Sequence, residues 1–141
     1  MVLQVSDGVL VDSRLIQISV TDRNEFQVSS PVDTNTAANS VQEGSASGTA
    51  VGIAASASDA DGTTNTITYS LVTDAGGGTA LTNGPFQIDA TTGVVTVRDG
   101  ALLDYETVTS QTVFVKAVSA DGSSAVQSFT VGVTDRNEFQ V

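Results

Sequence analysis

Val20-Thr-Asp-Arg-Asn-Glu-Phe-Gln-Val28 recurs letter for letter as Val133-Thr-Asp-Arg-Asn-Glu-Phe-Gln-Val141, with corresponding residues 113 positions apart. A period of that length is too long for a solenoid of roughly 20 to 50 residues and suits a whole small domain of about 100. What precedes each copy agrees. Val2 to Val5, a turn at Asp7-Gly8 and Leu15-Ile-Gln-Ile-Ser-Val20 lead into the first. Val115 and Ala117 in alternation, a turn at Asp121-Gly122, and Phe129, Val131 and Val133 lead into the second. Residues 1–28 are therefore expected to be the C-terminal hairpin and linker of a preceding repeat, and 29–141 one complete repeat ending in the next linker.

Within that period the strand signals are regular. Val51, Ile53 and Ala55 share a face, as do Ile67, Tyr69 and Leu71. Pro85 to Asp89 and Val94 to Val97 form two short strands around Thr92-Gly93, and Thr112 to Val118 with Gln127 to Val133 form a closing antiparallel hairpin. Ser29 to Ser40, rich in Asn, Asp, Thr and Ser, reads as a linker, and Gly100 to Glu106 as the one place for a helical turn. About seven short strands with turn signals every 8 to 14 residues predict an all-β protein, a seven-stranded Greek-key β-sandwich of immunoglobulin-like architecture. Tyr69, Phe86 and Phe129 are expected in its core.

The composition removes several classes of function. Forty per cent of the residues are apolar, enough for a core. The net charge of −11 leaves no basic stripe for nucleic acid or for anionic lipid, and no apolar run approaches the ~20 residues of a membrane span. With neither cysteine nor histidine, disulfides, thiol chemistry, the usual zinc sites and Ser–His–Asp hydrolysis lack their parts. No signal peptide follows Met1, so targeting information is expected elsewhere in a longer chain.

Oxygen donors instead gather in loops: Asp22, Asn24 and Glu25; Glu43; Asp59 and Asp61 with Asn65; Asp104 and Glu106; Asp121; Asp135, Asn137 and Glu138. A hard cation such as calcium takes six to eight oxygens, and acidic residues two apart in a loop can aim both carboxylates at one ion. Asp59-Ala-Asp-Gly62 and Asp121-Gly122 also read as plain turn words, because Asp caps turns and Gly takes positive φ. Arg23 and Arg136 read as solvated or paired with the acids beside them. Asp104 and Glu106 lie two apart in one loop, with no obvious partner shaping a sugar cleft, and do not read as a glycosidase pair.

At this point the chain resembles the cadherin domain family. Phe86-Gln-Ile-Asp-Ala-Thr-Thr-Gly-Val-Val-Thr-Val97, followed by Leu103-Asp-Tyr-Glu106, is similar to the family's F-x-I-D-x-x-T-G-x-I and L-D-x-E pair. Asp59-Ala-Asp-Gly62, Asn65 and Ile67-Thr-Tyr69 resemble D-A-D-x-G-x-N…I-x-Y, Thr134-Asp-Arg-Asn-Glu138 the D-x-N-D-N linker, and Val41-Gln-Glu43 the early V-x-E. The Ala-, Thr- and Ser-rich wording and low aromatic content look more like bacterial cadherin-like repeats of giant secreted adhesins than like animal cadherins.

The resemblance implies calcium at the junctions between domains. Glu43, Asp104, Glu106, Asp135, Asn137 and Glu138 would serve the joint that follows the repeat, while Asp59 and Asp61, with Asp22, Asn24 and Glu25 of the leading linker, would serve the joint before it. Three departures stand out. Gly62 follows Asp61 directly. Ser119 occupies the acidic place of V-x-A-x-D, with Asp121 two positions on and Asp7 in the expected place of the leading hairpin. Glu138 and Phe139 replace the second D-N of the linker, which implies a weaker site. Each joint would be half present, so a two-repeat chain is expected to bind calcium more tightly than this one.

The implied function is a non-enzymatic, calcium-binding structural or adhesion repeat of a large bacterial extracellular protein, secreted or on the cell surface. Its partners would be neighbouring repeats of the same chain and a cell-surface protein or polysaccharide, with no nucleic acid and no membrane insertion. The alternative is a calcium-dependent polysaccharide-binding module, disfavoured by a supply of only two Tyr and five Phe for stacking on sugars.

Overall fold

The alternating run around Ile53 is a strand whose odd-numbered residues, Val51, Ile53 and Ala55, are buried while their neighbours stay half-exposed. The same two-residue period recurs from Val113 to Ser119 and from Val131 to Val133 of the computed structural model, which describes residues 1–137. In chain order the strands are β1 (Val2–Ser6), β2 (Val11–Leu15), β3 (Val32–Asp33), β4 (Ser40–Gln42), β5 (Ala50–Ser56), β6 (Ile67–Val72), β7 (Phe86–Ile88), β8 (Val94–Val97), β9 (Ser110–Ser119) and β10 (Ser124–Thr134). A 3-10 turn at Gly100–Leu102 falls where the helical turn is expected.

From β3 onward the strands form two four-stranded sheets, β4-β10-β9-β6 and β3-β5-β8-β7. Valines and leucines of both sheets meet between them: Val51, Ile53, Val95 and Val97 from one, Val113, Val115, Val131 and Leu71 from the other. The fold is a Greek-key β-sandwich. Phe86 belongs to its core, whereas Tyr69 and Phe129 are only partly buried against it. Tyr69 keeps its hydroxyl at the rim, where it accepts from Ala57 N at 2.9 Å.

Ser29–Ser40 is not the linker its composition suggests. Val32 and Asp33 pair antiparallel with Ser56 and Ala55, and Ser40 to Gln42 pair parallel with Gly132 to Thr134. The chain crosses between the sheets from β3 to β4, and counting this crossing stretch as one strand gives the expected seven. Its polar residues serve the crossing: Asp33 Oδ1 accepts from Asn35 N and Ala54 N.

Gly93 has φ 69° and lies so close to β5 that a Cβ there would overlap the carbonyl oxygen of Ala55. Its own carbonyl accepts from Ala55 N at 2.9 Å, and Asp89 closes the turn by accepting from Thr91 N and Thr92 N. Glycine is required at this turn because only glycine combines that φ with that approach.

The leading residues stand apart. β1 and β2 form their own two-stranded sheet, and all ten strand residues are exposed, Val2, Leu3, Val5, Val11 and Leu15 among them. The second strand is Val11–Leu15 rather than the expected Leu15–Val20. The pairing ends with Ile16 N donating to Met1 O and the Met1 amino group donating to Ile16 O, and no strand is formed between Leu15 and Val32. β10 continues to Thr134 because β9 and β4 flank it.

Ile53 is 1% exposed at the centre of the core. Ile53→Ala is expected to destabilise the sandwich by about 2–5 kcal/mol, through lost burial and the cavity left behind, measured by denaturant unfolding.

Candidate metal centres at the two ends of the sandwich

Antiparallel strands bring sequence-distant loops to one end. The loop after β5 and the β9–β10 turn meet at the end where the leading linker arrives, and there carboxylate oxygens of Asp59, Asp61 and Asp121 all lie within 4.8 Å of one another. Asp61 is 3% exposed. Its Oδ1 accepts from Glu25 N at 3.0 Å and Phe26 N at 3.2 Å, which docks the linker on the domain. Asp59 Oδ1 accepts from Asp61 N. The second oxygens, Asp59 Oδ2 and Asp61 Oδ2, are buried with no donor among the described residues. Asn65 Nδ2 donates to the Asp61 carbonyl, closing the loop.

Other linker residues are tied to the same end. Asp22 Oδ2 accepts from Thr63 N at 3.0 Å and from the Thr63 hydroxyl. Asn24 Nδ2 donates to Asp121 Oδ2 at 2.5 Å, and Val28 N to Ser123 Oγ at 3.0 Å. Glu25 takes part through its backbone, and its side chain is exposed.

Asp121 reaches this end because its turn is one residue longer than its counterpart. Ser6 and Val11 flank four turn residues in the leading hairpin, whereas Val118 and Ser124 flank five in the complete repeat. Matching the registers places Asp7 opposite Ser119, the expected acidic position. Ser119 is buried and donates from Oγ to the Thr64 carbonyl, while the extra residue carries Asp121 into the cluster.

At the other end, oxygens of Glu43, Glu106 and Asp135 lie within 4.8 Å of one another. Glu43 follows β4 and is 2% exposed; Oε1 accepts from Arg136 N at 2.7 Å and Oε2 from Tyr105 N at 2.8 Å. These two N–H donors, Arg136 first, hold the Glu43 carboxyl below its ordinary range, against opposing effects of burial and the charge of Asp104. Asp104 lines the same cleft as Glu43 and Glu106. Its carboxylate caps its own turn, accepting from Thr107 Oγ1 at 2.6 Å and Thr107 N, and the hydroxyl bond chiefly lowers its pKa. Asp121 is lowered first by the backbone N–H of Ser123. Asn137 is exposed at the end of the described chain, and Glu138 lies outside the described residues.

The structure thus brings Asp59, Asp61 and Asp121 together at one end and Glu43, Glu106 and Asp135 at the other, and ties Asp22 and Asn24 to the first. Thr63, Thr107 and Ser123 were not legible as site residues. The Asp-x-x-Thr spacing of Asp104 and Thr107 is a turn-cap signal that could have identified one of them.

The Cadherin domain family model matches residues 37–134. The chain belongs to the cadherin domain family. Solved structures similar to it include protocadherin gamma B7 extracellular cadherin domains 1–4, at 26% identity and a TM-score of 0.60, covering 91% of this chain and 29% of that one. Mouse clustered PcdhgC3 EC1–3 matches at 26% and 0.63, covering 89% and 38%, and chicken VE-cadherin EC1–2 at 28% and 0.58, covering 89% and 58%. The chain therefore spans less than two thirds of each of these relatives. No curated protein sequence matches it. Cadherin domains are extracellular adhesion modules rather than enzymes and generally bind calcium. Among the described residues no helix is long and apolar enough to cross a membrane.

Glu43 joins β4, the 103–106 loop and the chain after β10 through its ionised form. Because its pKa is lowered on folding, that contribution is present above about pH 4.3 and is lost as the pH falls. In chelator-treated protein, the stability gap between the wild type and Glu43→Gln is expected to be largest at neutral pH and to shrink below that value, measured by urea unfolding across pH.

Proposed function

We propose that this chain is a calcium-stabilised structural repeat of a large bacterial extracellular adhesion protein, in which calcium stiffens the joints between consecutive domains. One observation carries the reading. Asp61 is buried among carboxylates, and its Oδ2, like that of Asp59, has no donor among the described residues. A buried ionised oxygen without a partner is costly, and a hard cation is the partner that suits several such oxygens at once.

Asp59, Asp61 and Asp121 would hold the ion at the front end, with Asp22, Asn24 and Glu25 of the linker beside them and Asn65 keeping the loop in shape. Glu43, Glu106 and Asp135 would hold it at the rear, with Asp104 in the cleft and Asn137 and Glu138 extending the set toward a following domain. Bound calcium would neutralise acids that otherwise repel across the joint.

The leading hairpin fits as the closing hairpin of a preceding repeat. Its strands pair as β9 and β10 do, it carries the same nine-residue word, and its apolar residues are exposed where those of β9 and β10 are covered by two further strands and a second sheet. A two-stranded hairpin alone is marginal in water. Neighbouring repeats are accordingly the first partners, and a surface protein or polysaccharide would be the target of the whole array. The low aromatic content, 5% of residues, supports the bacterial reading.

Calorimetric titration with calcium tests this directly. Asp61→Asn is expected to weaken front-end binding by about tenfold or more through loss of an anionic ligand, with the fold intact. Unchanged calcium affinity in both Asp61→Asn and Glu43→Gln would sink the reading.

A further inference from the structure

The same aspartate of the repeated word is used differently at the two ends. Asp135 gathers with Glu43 and Glu106 of the domain it leaves. Asp22, its counterpart, is gripped by Thr63 of the domain it enters, through both the N–H and the hydroxyl. Thr63 lies two residues beyond Asp61, after Gly62, and is not an acidic residue. Its grip on Asp22 therefore belongs to the seating of the linker rather than to the carboxylate cluster.

The backbone beside it supports a specific arrangement. Thr64 has φ 57°, a left-handed conformation that a β-branched residue adopts only under strain. Such strain persists where surrounding contacts over-determine it. Here the Thr64 carbonyl accepts from buried Ser119 Oγ at 3.0 Å, and Asn65 Nδ2 donates to Asp61 O at 2.8 Å. These two anchors fix the backbone around Thr63 and aim both its donors at Asp22.

We infer that Thr63 is a positioning residue that latches the linker to the domain it enters by holding the Asp22 carboxylate, so that the linker is seated before any cation binds. This rests on reading the two ends as halves of one kind of joint. In a joined array a single linker carboxylate would then face the upstream Glu43/Glu106 pair and the downstream Thr63, and so tie the upstream cluster mechanically to the next domain. Two donors on one carboxylate are charge-assisted and geometrically selective, so the latch requires a hydroxyl at position 63 and a carboxylate at position 22.

Amide hydrogen exchange of the full chain in chelator tests the latch without involving calcium. Thr63→Val is expected to speed exchange at Glu25 and Phe26 by about tenfold, Thr63→Ser to restore wild-type rates, and Asp22→Ala to match Thr63→Val. Amides of Val115 and Val131 report whether the sandwich itself is unchanged. Wild-type exchange at Glu25 and Phe26 in Thr63→Val, or failure of Thr63→Ser to restore it, overturns the proposal. Should Thr63→Val not fold, Asp22→Ala alone decides, since it leaves the loop sequence intact. Because no metal is present, a negative result here leaves the calcium reading standing, and a failure of calcium binding leaves the latch standing.

Discussion

Carboxylates brought within a few ångströms of one another at the end of a sandwich repel unless something positive meets them, and the organisation of this chain follows from how that repulsion is met. At Glu43 the answer is internal: two backbone N–H groups, from Tyr105 and Arg136, face its two oxygens. At Asp61 the answer is half internal. One oxygen receives the linker amides of Glu25 and Phe26, and the other is buried without a donor. The difference is that both oxygens of Glu43 already meet N–H donors, whereas one oxygen of Asp61 meets none among the described residues. Asp61 also holds the linker against the front end, since its satisfied oxygen is the one that receives the linker backbone.

The sandwich supplies the geometry for both. β9 and β10 run the full length of one sheet, so the turn joining them sits at the front end while their far ends carry Glu106 and Asp135 to the rear. The Val51, Ile53, Val95, Val115 and Val131 core fixes the two sheets against each other, and the close approach at Gly93 locks β8 to β5. Charge at the ends is tolerable because apolar packing in the middle is sufficient to hold the loops there. The chain's surplus of acids, 16 Asp and Glu against five Lys and Arg, is in part concentrated at the two ends where neighbouring domains would meet.

Much of this was legible in the sequence because strand burial has a two-residue period and turns have distinctive words. Val51-Ile53-Ala55 and Phe86 to Val97 read correctly on those grounds, and the family resemblance pointed to loops whose carboxylates gather at the two ends. What could not be read depended on partners distant in sequence. Val32 looks like an isolated valine in a polar linker and Val41 stands just past its end, and only pairing with β5 and β10 makes them strand residues. Ile16 to Val20 alternates as a strand should, yet among the described residues no strand pairs with it beyond Ile16. Ser119 looked like a lost ligand, but a turn one residue longer brings Asp121 to the same end. Thr63 carries no sequence signal at all, because its importance comes from meeting a carboxylate 41 residues earlier in the chain.

The central claim is that the two carboxylate clusters are cation sites at opposite ends of one domain. Residue-resolved NMR of the chain titrated with calcium up to the millimolar range tests it most directly. The account predicts saturable shifts confined to two sets of amides, one from Asp59 to Asn65 with Asp121 to Ser123, the other at Glu43, Tyr105, Glu106, Arg136 and Asn137, with the core amides of Val115 and Val131 unmoved. Shifts that fail to saturate, or that spread evenly over the acidic surface, would contradict it.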